Sequence, residues 1–252
     1  MGYKSQCAFQ LHDVKLPLTP ANMRVLIFGG TGPCGIALAR EVLEVYPSST
    51  VILYVRSPHK IPDDLAQDSS IFIIRGDLAQ LEEVESAILG GRTKTDEEPR
   101  TAVDVVLSAL GPTGPFHARD NPLAKFYESL MDLMSKHSVK RLIVLCTAAY
   151  SDPQDKFNLV TSFNATFVKI VAHTAYADFR AIGEVVNANK GLEWTLVRVP
   201  VLTNSESEEV VAGYIGDGRI GNTLARRAFA AFCVGEIEKR EWVRKAPFIS
   251  SV

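Results

Sequence analysis

Two rhythms of apolar residues alternate along this chain. The first consists of short unbroken runs: MRVLIF (23–28), TVILYV (50–55), IFIIR (71–75), AVDVVLSAL (102–110), VKRLIVLC (139–146) and LEWTLVRV (192–199). They are rich in β-branched residues and read as strands, and MRVLIF, apolar on both faces, is expected to be buried on both sides. The second returns an apolar residue every three or four positions. After Gly32, the stretch PCGIALAREVLEVY places Ile36, Leu38, Ala39, Val42, Leu43 and Tyr46 on one stripe, with Pro33 at the front where a helix tolerates it. LAQLEEVESAIL (78–89) reads as a short helix, and NPLAKFYESLMDLMSKHS (121–138) as a longer one with Leu123, Phe126, Leu130, Leu133 and Met134 inward. A further helix is expected near 176–189, and GGRTKTDEEPR (90–100) as a solvated loop. Strand and helix alternate at intervals that leave room for right-handed crossovers, so the fold class is α/β with a doubly wound parallel sheet. The polar start, residues 1–22 with Pro17 and Pro20, is expected as an arm, and 23–252 as a single domain. Segments 151–175 and 203–221 look irregular, and both follow carboxyl ends of strands, where such sheets bind ligands.

Composition narrows the classes of function. The chain has 252 residues, 46% hydrophobic and 22% charged, and 27 Lys+Arg against 29 Asp+Glu leave a net charge of −2. No global positive field is available to hold nucleic acid, and Arg226-Arg227 is too small a basic patch to supply one locally. The longest apolar stretch, Leu142 to Tyr150, is too short for a membrane span. The segment MGYKSQCAFQLHDVK lacks a signal-peptide core, and Gln6 breaks the myristoylation pattern. Cys7, Cys34, Cys146 and Cys233 are far apart and form no CxxC pair, which fits a reducing, cytoplasmic setting. The five histidines show no close pairing, so no metal is expected.

The sharpest motif is FGGTGPCG (28–35), where Gly29, Gly32 and Gly35 fit GxxGxxG and Gly30, Gly32 and Gly35 fit GxGxxG. A turn from strand to helix needs such residues: a side chain at the second glycine blocks approach of a pyrophosphate, and one at the third pushes the helix off the sheet. Backbone N–H groups of Thr31, Gly32, Cys34 and Gly35 would then face phosphate, aided by the helix dipole. Following a buried strand and opening an amphipathic helix, the motif predicts a Rossmann-type dinucleotide site. A NAD site places Asp or Glu about 20 residues further on, at the end of the second strand. Here that place holds Arg56, with Lys60 four residues later, and a guanidinium suits a 2′-phosphate. The cofactor expected is therefore NADP; a solvated surface pair is the plainer reading of Arg56 and Lys60. Asp77, next to Leu78, can accept from the adenine amino group or cap the helix at 78–89. Ala109, Leu110 and Gly111 would pass the nicotinamide ribose, or form a plain turn.

The succession FGGTGPCG, YVRSPHK, RGDL, VVLSALG, VKRLIVLCTAA and GLEWTLVRVP resembles the atypical short-chain dehydrogenase/reductases, and within them the NmrA-like proteins and the biliverdin-IXβ/flavin reductase type, over roughly residues 23–240. The resemblance implies a small C-terminal substrate region, a phosphate clamp by Arg56 and Lys60, and cofactor contacts from Thr31, Gly32, Pro33, Asp77, Gly111, Thr147 and Pro200. Some proteins of this look are reductases of fungal polyketide pathways, so secondary metabolism is one expectation.

Classical members use a Tyr-x-x-x-Lys pair and a Ser, the Tyr hydroxyl moving the proton. Near those places this chain has Tyr176 and Arg180, followed by Glu184, while Cys146-Thr147-Ala148 leaves only Thr147 to supply a hydroxyl. Tyr176 is thus a candidate proton donor supported by Arg180 and Thr147; alternatively Tyr176 packs on the sheet and Arg180 pairs with Glu184 at i,i+4. The stretch 156–176 reads as an apolar lid, an interface helix of a dimer or a membrane-surface contact, the last disfavoured by its single inner basic residue Lys169, and monomer and homodimer stay open. Cys34, at a helix start, is either a small filler beside the phosphates or an oxidation-sensitive thiol. The activity expected is an NADPH-dependent reduction of an apolar, conjugated carbonyl or quinone-like small molecule. The alternatives are a non-catalytic NADP(H)-responsive regulator and an isomerase, dehydratase or cyclase on the same fold.

Overall fold

The computed structural model describes residues 22–91, 101–112, 117–157 and 172–251. The arm expected over 1–22, apart from Asn22, most of the loop at 90–100 and most of the segment at 156–176 lie outside the described residues. In chain order the elements are β1 (Arg24–Phe28), α1 (Pro33–Val45), β2 (Thr50–Val55), α2 (Asp63–Ala66), β3 (Ile71–Arg75), α3 (Leu81–Ile88), β4 (Val105–Ser108) and α4 (Pro122–Lys136). There follow β5 (Arg141–Thr147), α5 (His173–Ala188), β6 (Glu193–Val199), β7 (Val201–Thr203), β8 (Val210–Gly213), β9 (Thr223–Ala225), α6 (Arg226–Lys239) and β10 (Phe248–Ser251). All six expected strands form, with ends moved by up to three residues.

The main sheet runs β3-β2-β1-β4-β5-β6-β10-β8. Every pair is parallel except β8 on β10. This is the α/β Rossmann-type architecture. The order reverses between β1 and β4, so the carboxyl ends of those strands diverge and open a crevice there.

Both faces of the central strands are covered, as their unbroken apolar runs require. On β1, Val25 and Ile27 join one buried cluster with Leu38 and Val42 of α1 and Phe229 and Val234 of α6. Leu26 and Phe28 point the other way, into a cluster with Val84 of α3, Leu130 and Met134 of α4, and Ile182 and Val186 of α5. The period-two alternation of a strand thus feeds both layers. Each fully buried aliphatic or Phe side chain here contributes about 1.5–3 kcal/mol.

The carboxyl end of the sequence adds what its pattern concealed. FISS and VVAG are four-residue strands that extend the sheet beyond β6, and β7 pairs with β9 in a separate ribbon. So 203–221 is not irregular throughout, since β8 lies inside it. Helix α3 starts at Leu81, later than the expected 78, because Asp77 Oδ1 accepts the Ala79 N–H at 3.1 Å and holds a turn ahead of it.

A buried ion pair ties this end to the rest. Arg198 of β6 is 0% exposed. Its Nη1 and Nη2 donate to Asp155 at 2.5 and 2.9 Å, its Nε to the Ala246 carbonyl at 2.8 Å, and Nη1 also to the Tyr150 carbonyl at 3.3 Å. Asp155 Oδ1 further accepts the Ile215 N–H at 3.1 Å and its Oδ2 the Asp152 N–H at 2.8 Å. One carboxylate therefore joins 151–157 to the turn after β8.

Candidate functional site

The glycine loop is built as its spacing predicted. Gly29 sits at φ +78°, and a Cβ there would lie 2.9 Å from the Ala109 carbonyl carbon and oxygen. A Cβ on Gly35 would lie 2.2 Å from the Gly29 oxygen and 2.8 Å from Gly30 Cα. The loop thus folds back on its own backbone and lets α1 start against it, closed by the Gly32 N–H to Gly29 O bond of 3.0 Å. Gly32 is the N-cap of α1 and no side chain caps the helix. Pro33 has no N–H to give, and the Cys34 and Gly35 amides belong to the first turn, where no intrahelical acceptor exists. Donors and dipole are thereby left for an anion.

Outside this loop lies a cleft of about 840 Å³. Gly29, Thr31, Gly32, Arg56, Lys60, Asp77, Leu78, Leu110 and Gly111, all expected from the sequence, line it together. Arg56 and Lys60 are exposed, one after β2 and one in the short helical turn Pro58–Lys60, and among the described residues neither makes an ion pair. The cleft floor is aromatic. Phe28 contacts Tyr54 and Phe126 with centroids 5.4 and 5.3 Å apart, and Tyr54 and Phe126 reach the surface of the cleft. Tyr54 donates to the Asp77 carbonyl at 2.8 Å, and burial, aided by Glu83 and Asp77, pushes its hydroxyl up to about 12. It acts as a neutral prop for the Gly76-Asp77 turn, where a Cβ on Gly76 would lie 2.1 Å from that hydroxyl.

Pro33, Cys34, Gly35, Thr147 and Pro200 do not line this cleft. Cys34 is buried beneath the loop, and burial raises its thiol despite the nearby Arg226, so it behaves as the filler rather than as a reactive thiol. Cys146 is wholly buried and its thiol is pushed up to about 12. Thr147 Oγ1 accepts the Ala149 N–H at 3.2 Å and shapes the turn after β5.

Tyr176 and Arg180 both lie on α5 but outside the cleft lining. Arg180 Nε donates to Glu184 at 2.8 Å, with side chains 64% and 56% exposed, which is the i,i+4 pair of the plainer reading. The α5 residue that meets the cleft wall is Phe179, whose ring would stand 3.2 Å from a Cβ on Gly111. Tyr176 is three residues earlier on that stripe and half-buried.

Sequence reasoning missed the wall formed by His117, ahead of α4, and by Lys125, Phe126 and Ser129 of α4, all of which line the cleft. It also missed Asp178, a carboxylate at 0% exposure. The Leu123 and Ala124 N–H groups donate to it at 3.1 and 3.0 Å, and His117 Nε2 lies 2.6 Å from it. The N-cap position of α4, Asn121, makes no side-chain cap, so Asp178 caps α4 from another helix. A signal was present: Asp178 shares the apolar stripe of Ala175, Ile182 and Val186, and a carboxylate on a buried face needs a partner.

A glycine loop opening a helix at the switch point of a parallel sheet, with a cleft of nucleotide size before it, defines a Rossmann-type dinucleotide-binding protein. Residues 29–240 match the model of a family described as NAD(P)H-binding, and the chain belongs to that family. Solved structures share the fold. A Rossmann-fold NAD(P)-binding family protein from Shigella flexneri is 20% identical, with TM-score 0.65 over 91% of this chain and 93% of that one. A short-chain dehydrogenase/reductase from Veillonella parvula is 16% identical, with TM-score 0.70 over 91% and 94%. A wide-type short-chain dehydrogenase/reductase from the same organism, solved in complex with NADP, is 15% identical, with TM-score 0.68 over 91% and 94%. No curated protein matches significantly. Among the described residues there is no cluster suited to a metal and no helix long and apolar enough to cross a membrane.

Proposed function

We propose that this chain is an NADPH-dependent oxidoreductase that reduces an apolar, conjugated carbonyl or quinone-like small molecule. The observation that carries the cofactor choice is the end of β2, where Arg56 and Lys60 face the cleft and no carboxylate stands in the place that a NAD ribose prefers. The donor set fits the nucleotide: first-turn amides of α1 for the pyrophosphate, Arg56 and Lys60 for a 2′-phosphate, Asp77 and Leu78 beside the adenine, and Leu110 and Gly111 beside the far ribose. Bound there, the nicotinamide supplies hydride. The protein's part is to orient it and exclude water, and the apolar side chains of Leu110, Leu123 and Phe126 suit a flat apolar substrate. In this reading 203–221 belongs to the substrate side, and the whole of 23–252 acts as a single domain. The branch within the family is the NmrA-like and flavin-reductase-like one, on the strength of the motifs FGGTGPCG and LVRVP.

The Arg180–Glu184 pair favours a second reading, a non-catalytic NADP(H)-responsive regulator, because it removes the cation from Tyr176's service. Two measurements separate these. Calorimetry on Arg56→Asp should show NADPH affinity falling about 100-fold, as loss of a charge-assisted clamp implies, with NADH changed little; equal loss of both excludes Arg56 as the clamp. NADPH oxidation with a panel of quinones, flavins and aromatic ketones should show turnover, and tight NADPH binding without any oxidation would favour the regulator.

A further inference from the structure

The connection between β4 and α4 brings an imidazole to the cleft under tight control. His117 lines the cleft with its side chain 11% exposed, and its Nε2 lies 2.6 Å from Asp178 Oδ2. Asp178 cannot turn: the Leu123 N–H donates to the same oxygen at 3.1 Å and the Ala124 N–H to the other at 3.0 Å. The carboxylate is wholly buried, so no water competes for it. Capping α4 needs only the carboxylate. The imidazole is not needed for the cap, yet it lines the cleft beside Leu110, Leu123 and Phe126, with Lys125 and Ser129 further along the same wall. With Nε2 committed to Asp178, Nδ1 is the nitrogen left for a ligand. A histidine that lines a cleft while a buried carboxylate holds one of its ring nitrogens has the arrangement of a working acid or base.

Its position says which end of the cleft it serves. Arg56 follows β2, and His117 comes after β4, with β1 between those strands. At a spacing of about 4.8 Å per strand the two strand ends are about 10 Å apart. His117 is tied across to α5, whose Phe179 abuts Gly111. It therefore stands away from the adenosine-side cations, at the nicotinamide end.

We propose that His117 is the proton donor at the nicotinamide end of the cleft, with Asp178 as its positioning residue; this rests on the oxidoreductase reading above. The donor is the doubly protonated ring: with the Nε2–H held by Asp178, the N–H bond at Nδ1 breaks and an O–H bond forms on the substrate oxygen, leaving a neutral imidazole that keeps its Nε2 proton. A reduced nicotinamide nucleotide held in the cleft would supply the two electrons as hydride to the adjoining carbon. A carbonyl becomes an alcohol, and water returns the proton to the imidazole.

The test needs no substrate and begins with the unmodified chain. Protein labelled with ¹³C and ¹⁵N at histidine shows its ring signals by NMR, and His117→Gln identifies the His117 signal by its loss. Saturating NADP⁺ should shift that signal, whereas 2′,5′-ADP, which carries only the adenosine half, should bind and leave it in place. In Asp178→Asn the ¹⁵N shifts should report a loss of the fixed tautomer, which a cap alone would not govern. Where a quinone or aromatic ketone is turned over, His117→Gln should lower kcat about 100-fold with NADPH affinity within about twofold, the range expected for a missing general acid. A signal indifferent to NADP⁺, or moved equally by 2′,5′-ADP, overturns the proposal while leaving the nucleotide reading intact. So does a greater loss of kcat in Tyr176→Phe than in His117→Gln, which returns the proton to Tyr176. No binding of any of these nucleotides overturns both.

Discussion

Replacing Asp155 with Ala should be among the most damaging single changes outside the hydrophobic core. Arg198 is 0% exposed and Asp155 13%, so the substitution leaves a permanent cation in the interior with its Nη1 and Nη2 donors to that carboxylate unpaired. It also frees the Ile215 and Asp152 amides. Breaking a buried pair from one side costs about 3–5 kcal/mol, most of it the penalty of the stranded charge. For a chain of this size each kcal/mol moves Tm by roughly 2–4 °C, which puts the expected drop at roughly 10 °C. Urea unfolding followed by circular dichroism gives the free energy, and scanning calorimetry the Tm. The same reasoning predicts a partial rescue: Asp155→Leu combined with Arg198→Met removes both charges and should recover most of the loss. A cost below about 1 kcal/mol for Asp155→Ala, or a double variant no better than the single, would refute the account, because the guanidinium would then have found water or another acceptor.

Two further outcomes follow from particular contacts. Glu41 on α1 is pushed up to about 7, chiefly by burial and further by Glu208 and Glu44, with Arg227 opposing. Between about pH 4.5, where the unfolded chain releases that proton, and about 7, where the folded one does, stability falls as pH rises. Because the group is partly exposed the loss is discounted to about 1 kcal/mol. Glu41→Gln should therefore raise Tm by about 2–4 °C at pH 8 and hardly at all at pH 4; an equal gain at both would show that the charge is not the cause. Gly35→Ala should abolish nucleotide binding in calorimetry, since the new Cβ would fall 2.2 Å from the Gly29 oxygen and only a shift of backbone relieves it; retained affinity would mean that the loop has room to move.

Legibility followed the range of the interactions. The strands from β1 to β6 could be read from runs of apolar and β-branched residues, clearest in β1, where Leu26 and Ile27 are buried on opposite sides. The glycine loop could be read because Gly29 and Gly35 answer a local demand of the backbone. The strands β8 and β10 could not, since four residues each carry too little pattern and their pairing depends on neighbours far along the chain. The candidate chemistry split in the same way. Arg56 was legible from its distance to the glycines. Tyr176 and Arg180 were aligned by spacing alone, and the structure pairs Arg180 with its own helix neighbour Glu184 instead.

Taken alone, the sequence determined the class of fold, the place of the glycine loop and the charge at the end of the second strand, because each is a property of residues close together in the chain. Only the tertiary structure decided that Asp178 would cap a helix 54 residues away and hold His117 against the cleft, or that Asp155 would neutralise Arg198 across 43 residues. Buried charges choose partners by proximity in space, and proximity is settled by packing of the sheet and its helices, which no local pattern records.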